Sequence, residues 1–268
     1  MTLFIELMKS VLLGIVEGIT EWLPISSTGH MLLLDEFVQL NESDGFKEMF
    51  FVVIQLGAIL AVVITFWGKM WPFCKPTENH PSILRKDVWS MWFKVVVACI
   101  PGAIVTLLFD NFIEKNLHTP IVISAMLILY GIAFIVIEKW NEKRTPKVTS
   151  LSGITYKTAL IIGLFQVLSI IPGTSRSGAT IVGALIIGVS RTAAAEFTFF
   201  LAVPVMFGLS FIKLIKFGFV FTGTQLAILG VGCLVAFLVS LVVIRVLMSY
   251  IKKRDFKAFG IYRIILGT

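Results

Sequence analysis

Five stretches of this chain are long and apolar enough to cross a lipid bilayer, and that limits its fold more than any other feature. Met49–Trp67, Val88–Phe109, Ile121–Ile137, Phe197–Ile215 and Leu226–Leu247 approach or exceed the roughly 18–20 residues that span a hydrocarbon core. A shorter run, Phe256–Leu266, closes the chain. Of the 268 residues, 57% are hydrophobic and 15% charged, against about 45–50% and about 25% in soluble domains. The expectation is an all-α integral membrane protein, one membrane domain over residues 1–268, with about six transmembrane helices.

Charge then orients the helices. Basic residues gather in three connections: Lys69, Lys75, Arg85 and Lys86; Lys139, Lys143, Arg144 and Lys147; Lys252, Lys253, Arg254 and Lys257. Basic loops mark the cytoplasmic side, so the connections around Asp110–Thr119 and Lys213–Thr224 are expected outside. The net charge of +7 is spread between apolar runs, without a basic stripe carrying interleaved aromatics, which argues against a nucleic-acid partner. Cys74, Cys99 and Cys233 have no paired spacing and imply neither a disulfide framework nor a zinc site. The opening segment Met1–Val16 does not read as a signal peptide. It lacks a basic start, Glu6 and Lys9 interrupt it, and Glu17 and Glu21 stand where small residues would mark a cleavage site.

Two further apolar segments are broken in the middle. Leu12–Leu34 is interrupted at Pro24–Gly29, and Ala159–Val189 at Pro172–Gly178. Proline removes a backbone donor and disfavours helix in the residue before it, so each segment reads as helix, irregular loop, helix. Irregular backbone at membrane depth persists only when buried in protein or lining a watery cavity, and both segments are therefore read as re-entrant hairpins. The two halves also resemble each other. Gly14-Ile-Val-Glu17 matches Gly163-Leu-Phe-Gln166, Pro24-Ile-Ser-Ser-Thr-Gly29 matches Pro172-Gly-Thr-Ser-Arg-Ser-Gly178 with one residue inserted, and Glu48-Met-Phe-Phe51 matches Glu196-Phe-Thr-Phe199. An odd number of spans between the hairpins turns the second unit upside down, an inverted-topology repeat. Repeat 1 is placed at about 1–138 with its hairpin at about 8–36, and repeat 2 at about 155–268 with its hairpin at about 157–189. Tips entering from opposite faces can meet near the midplane.

The residues at those tips carry the chemistry. Glu17 and Glu21 lie four apart and share a helix face. An ionised group at the bilayer centre costs at least about 2.5 kcal/mol, so the pair needs a wet cavity or a cation; the plainer alternative is an interfacial pair held by Arg or Lys. In Pro24-Ile-Ser-Ser-Thr-Gly-His30, Ser26 or Ser27 can cap a helix whose free amides favour an anion, with Thr28 and Gly29 beside them. Ser27 and His30 share a face, the spacing in which an imidazole can take a serine proton or protonate a leaving group, although a membrane histidine can also be a hydrogen-bonded packing residue. The second tip offers Gly173, Thr174, Ser175, Ser177 and Thr180 around Arg176, whose planar fork matches phosphate and could equally neutralise Glu17 and Glu21. Glu48 and Glu196, at matching repeat positions, read as structural. His80 and His118 receive no role.

Taken together, Glu17-Gly-Ile-Thr-Glu21, Pro24-Ile-Ser-Ser-Thr-Gly-His30 and Pro172-Gly-Thr-Ser-Arg-Ser-Gly-Ala-Thr180 resemble the undecaprenyl-diphosphate phosphatase family, also called bacitracin resistance proteins, along essentially the whole chain. The last span, ending soon after Arg263, departs from that pattern by being short. The resemblance implies hydrolysis of undecaprenyl diphosphate to undecaprenyl phosphate and inorganic phosphate, recycling the carrier for peptidoglycan synthesis, in the bacterial cytoplasmic membrane with the site opening outward. It implies a polyprenyl diphosphate as partner, membrane lipids around it, and dependence on a divalent cation, with Glu17 and Glu21 as the acidic pair; these two are expected either to bind Mg2+ or Ca2+ or to assist as bases. Glu17, Glu21, Ser27, His30 and Arg176 are then the catalytic candidates. Ser26, Thr28, Gly29, Gly173, Thr174, Ser175, Ser177 and Thr180 are the substrate-binding ones. Whether Ser27 or a water attacks stays open, as does the oligomeric state, a homodimer included. The rival class is a polyprenyl-phosphate flippase or transporter, which uses the same broken-helix architecture.

Overall fold

The structure, a computed structural model, describes residues 2–75, 83–117 and 119–268. Its helices run in the order α1 (Thr2–Thr20), α2 (Ser27–Asp35), α3 (Asp44–Val53), α4 (Gln55–Thr65), α5 (Trp67–Met70), α6 (Lys86–Leu117), α7 (Pro120–Asn141), α8 (Tyr156–Val167), α9 (Arg176–Ile186), α10 (Arg191–Phe217), α11 (Gly223–Ile251) and α12 (Lys257–Gly267). Most begin where a hydroxyl can serve their free amides. Thr119, just before Pro120, accepts from the Val122 amide at 3.3 Å, Ser190 accepts from Ala193 at 3.3 Å, and Thr222 forms a reciprocal capping box with Gln225.

Among the described residues, five segments are long and apolar enough to cross a membrane: Asp44–Thr65, Lys86–Phe109, Pro120–Asn141, Arg191–Phe217 and Gly223–Ile251. The first comprises α3 and α4, broken at Ile54. The protein is thus an all-α, multi-pass membrane protein. The sixth expected span is α12, whose 11 residues reach only about 16 Å at 1.5 Å per residue, about half a hydrocarbon core. Two boundaries differ from expectation. α1 starts at Thr2 rather than near residue 8, and α6 continues as helix to Leu117 through the stretch expected to be an outer connection. His80 and His118 lie outside the described residues.

Both interrupted segments fold back on themselves. At the open end of the first, Lys9 Nζ reaches the Gln39 carbonyl at 2.7 Å and Glu6 accepts from the Asn41 amide at 2.9 Å, tying the start of α1 to the exit of α2. At the second, the Lys147 amide donates to Gly188 O at 2.8 Å and Ser190 N to Val148 O at 2.8 Å, which ties the entry to α8 to the exit of α9.

The first helix of each hairpin packs against the opposite half of the chain. α1 lies along α11, where a Cβ on Gly14 would sit 2.7 Å from Gly232 O. α8 lies along α6, where a Cβ on the equivalent Gly163 would sit 2.8 Å from Ala98 Cα. Small residues let membrane helices approach to backbone contact, where dispersion and interhelical hydrogen bonds do the work that water expulsion does elsewhere. Ser10 to Ile228 O at 2.6 Å, Ser240 to Gly18 O at 3.3 Å and Ser210 to Val52 O at 3.0 Å supply such bonds. The repeat-related carboxylates do the same with charge: Glu48 takes Lys213 at 3.4 Å and Glu196 takes Lys69 at 2.7 Å, each from the other half. Gly163→Leu should therefore wedge α8 off α6 and lower the thermal midpoint in detergent, overpacking costing at least about 1–3 kcal/mol. An unchanged midpoint would show that the close approach is dispensable.

Candidate active site

The two hairpin turns are built alike. Ser26 and Ser175 cap α2 and α9, accepting from the amides of Gly29 at 3.3 Å and Gly178 at 3.1 Å. They stand at the same spacing after Gly14 and Gly163, so it is the proline that shifts by one position between the tips rather than the cap. Among the described residues, Ser26 (φ 75°) and Ser175 (φ 71°) are the non-glycine residues with positive φ. Such backbone costs of order 1–3 kcal/mol each and persists only where its surroundings over-determine it.

What determines it here is Arg263 of α12, a residue that drew no functional reading from the sequence. Its guanidinium is fully buried. It donates to Pro24 O at 3.0 Å in the first tip, to Gly173 O at 2.7 Å and Thr174 O at 2.9 Å in the second, and to Met126 O at 3.3 Å and Leu127 O at 3.4 Å in α7. One side chain thus clamps both turns. An arginine inside an apolar closing run is itself the signal that could have found it.

With the tips held together, the sequence candidates fall into three groups. Glu21, Ser27 and Arg176 meet. Ser27 Oγ donates to Glu21 Oε2 at 2.6 Å, and Arg176 Nη2 to Glu21 Oε1 at 3.0 Å, while Arg176 Nη1 is anchored on Thr198 O at 3.0 Å. Glu21 is 7% exposed, so this is a carboxylate bridging the two halves of the repeat in a nearly dry setting. Glu17, 1% exposed, lies one turn deeper within the field of Glu21 and Arg176, and its Oε1 has no partner among the described residues. An orphaned buried carboxylate oxygen beside a second carboxylate fits a hard divalent cation completed by substrate oxygens and water.

His30 stands apart from Ser27. Its Nδ1 is 2.8 Å from Ser26 O and its Nε2 2.7 Å from the hydroxyl of Tyr262, with the two rings stacked 4° from parallel. A carbonyl can only accept, so Nδ1 carries a proton, and Nε2 pairs with the Tyr262 hydroxyl. The imidazole-to-serine contact expected from helical spacing is replaced by a carboxylate-to-serine contact. The reason is local: Ser26 O, which accepts the His30 amide at 3.3 Å in the first turn of α2, also takes the ring Nδ1 at 2.8 Å and so holds the imidazole on the far side from Ser27.

The third group shapes the walls. Thr180 bonds back to Arg176 O at 2.9 Å and receives the Thr198 hydroxyl at 2.9 Å, so its own hydroxyl is spent. Ser177 reaches Glu21 O at 3.5 Å, and Ser175 and Ser177 share a bond of 3.1 Å. Gly173 has φ +88°, and a Cβ there would lie 2.8 Å from Ile123 Cα, so only glycine fits. Gly29 presents its amide to the Ser26 cap. Thr28 is exposed, whereas Thr174 is buried with Oγ1 unpartnered among the described residues.

The sequence profile of the family described as bacitracin resistance protein BacA matches residues 10–268. The chain belongs to the BacA family. Curated relatives match along its length. A protein of Enterococcus faecalis named undecaprenyl-diphosphatase is 67% identical over 264 residues, covering 98% of this chain and 95% of the relative. Proteins of the same name from Lachnoclostridium phytofermentans and Desulfitobacterium hafniense are 61% and 59% identical, covering 99% and 98% of this chain and 96% and 94% of theirs. The tips that carry the site lie inside every one of these matches.

Proposed function

We propose that this BacA-family protein hydrolyses undecaprenyl diphosphate to undecaprenyl phosphate and inorganic phosphate, recycling the lipid carrier and so conferring bacitracin resistance. The observation that carries the reading is the junction of Ser27, Glu21 and Arg176, drawn from two hairpins and held at 2.6 and 3.0 Å. The names of its relatives agree with it. The three basic loops support reading one end of the bundle as cytoplasmic, and with it the open end of the first hairpin as outward and the site as serving the extracytoplasmic side of the bacterial inner membrane.

In this reading the Arg176 fork and the free amides at the starts of α2 and α9 hold the diphosphate oxygens. Glu21 takes the proton of the attacking group as its oxygen bonds to the terminal phosphorus. The bond from that phosphorus to the bridging oxygen breaks, and the electron pair leaves with undecaprenyl phosphate. Either Ser27 attacks, giving a phosphoserine that water then cleaves, or a water occupying its position does. Both need the same acceptor 2.6 Å away. Glu17 and Glu21 are the residues that would hold a divalent cation, which when bound offsets the charge of the diphosphate. His30, with Ser26 O holding a proton on Nδ1 and Tyr262 on Nε2, is placed to carry a proton beside the site.

Purified protein in detergent tests the reading. Release of phosphate from a polyprenyl diphosphate needs no second compartment, whereas a flippase would show lipid movement in vesicles and no phosphate in micelles. Labelled phosphate retained on the wild type but not on Ser27→Ala would assign the attack to serine. Tyr262→Phe deletes the hydroxyl partner of His30 Nε2 and should lower turnover roughly tenfold while moving the pH profile, since one hydrogen bond is worth about 0.5–1.5 kcal/mol. A loss of turnover with an unmoved profile would leave Tyr262 as packing alone.

A further inference from the structure

The basic end of the bundle is hollow. A cavity of about 800 Å3 opens there between the 141–147 loop, the exit of α9, the start of α10 and the end of α11. It lies at the opposite end of α9 from Arg176, ten residues or roughly 15 Å along the helix, and is separate from the diphosphate site.

Its acids are already neutralised. Glu138 is fully buried and receives Arg191 at 2.5–3.1 Å and the Phe256 amide at 3.1 Å. Glu142 is paired with Lys257, and Arg144 is stacked 3.5 Å over the Trp140 ring. That leaves Lys143, Lys147 and Lys252, all lining the cavity and all without a carboxylate partner among the described residues. The 27-residue α10 opens into the same space. Its Ser190 cap serves the Ala193 amide, leaving the amides of Arg191 and Thr192 without acceptors among the described residues. Apolar surface is offered beside them by Ile186, 38% exposed, over the buried side chains of Leu185, Val189 and Ile251.

Basic loops alone follow from membrane insertion. They do not require a cavity in which the acids are silenced, three ammonium groups are spare and an exposed isoleucine stands beside them. That combination suits a phosphate group attached to an acyl chain, for which basic pockets between helices at the cytoplasmic face are a known kind of seat. We propose that this cavity is a binding site for the phosphate headgroup of an anionic phospholipid of the inner leaflet, its acyl chain lying against Ile186.

The test places the full chain in discs of neutral phosphatidylcholine and titrates labelled phosphatidylglycerol. Three proteins are compared: wild type, a triple variant Lys143→Ala, Lys147→Ala, Lys252→Ala, and a control triple Lys75→Ala, Lys86→Ala, Lys157→Ala that removes equal charge elsewhere on the same face. Each lysine that meets the bound headgroup contributes a factor of about five, so the cavity triple should bind phosphatidylglycerol roughly 100-fold more weakly. The control should bind nearly as the wild type does. Both triples should release phosphate from polyprenyl diphosphate in detergent at the wild-type rate, which establishes that they fold. Equal losses in the two triples would mean diffuse surface attraction, and no loss in either would mean no site; each overturns the proposal. Labelled inorganic phosphate added to the neutral discs separates the two sources of phosphate. Negligible binding of it supports the lipid, while binding as tight as phosphatidylglycerol's, lost in the cavity triple, would reassign the cavity to the free anion.

Discussion

Glu21→Gln should reduce phosphate release from undecaprenyl diphosphate by about 10²–10⁴-fold, the range over which a positioned general base contributes. Glutamine has nearly the same shape and can keep contacts to Ser27 and Arg176, so the protein should still elute as a folded species from detergent. What it loses is the proton acceptor 2.6 Å from Ser27 Oγ and the charge facing Arg176 at 3.0 Å. The decrease should fall on kcat, because the carboxylate acts on the attacking proton and repels rather than binds the substrate's anion. A change confined to KM would move Glu21 from catalysis to binding.

Arg263→Ala should damage stability and turnover together. The guanidinium satisfies carbonyls from both tips and from α7, and each acceptor left dry costs about 1–3 kcal/mol. Allowing some to find water, the loss should still be at least about 3 kcal/mol, or roughly 10 °C in thermal midpoint. Without the clamp, the positive-φ turns at Ser26 and Ser175 have little to hold them, so Ser27 and Arg176 should drift apart and turnover should fall as well. Arg263→Lys tests the geometry: a lysine keeps the charge but its single ammonium cannot span the two tips, and it should restore little. Full stability and activity in both variants would show that the turns hold themselves.

Much of this was legible in the sequence because membranes leave few choices. Apolar run lengths gave the spans, and Pro24 and Pro172 gave the breaks. The paired motifs around Gly14 and Gly163 pointed to two turns that share the Ser26 and Ser175 caps, and the polar clusters beside Pro24 and Pro172 pointed to residues of which Glu21, Ser27 and Arg176 meet. The parts that were not legible are those that depend on which helix lies beside which. Nothing local to Gly14 says that it faces Gly232, or that Gly163 faces Ala98, so the exchange of packing partners between the halves emerged only in three dimensions. Helical spacing could place Ser27 and His30 on one face. It could not tell that Ser26 O and Tyr262 would turn the imidazole away and leave Glu21 as the neighbour of the serine. Arg263 sits in a run too short to read as a full span, although the cost of an ionised group in the membrane, argued for Glu17 and Glu21, applies to it equally.

The central claim is that side chains from the two hairpin tips act as one catalytic unit. Steady-state phosphate release from undecaprenyl diphosphate by Ser27→Ala, Arg176→Ala and the double variant measures this directly, as a double-mutant cycle on kcat/KM. If the tips form one unit, the double variant should be hardly worse than the poorer single one. Losses that multiply, as for two independent sites, would contradict the account.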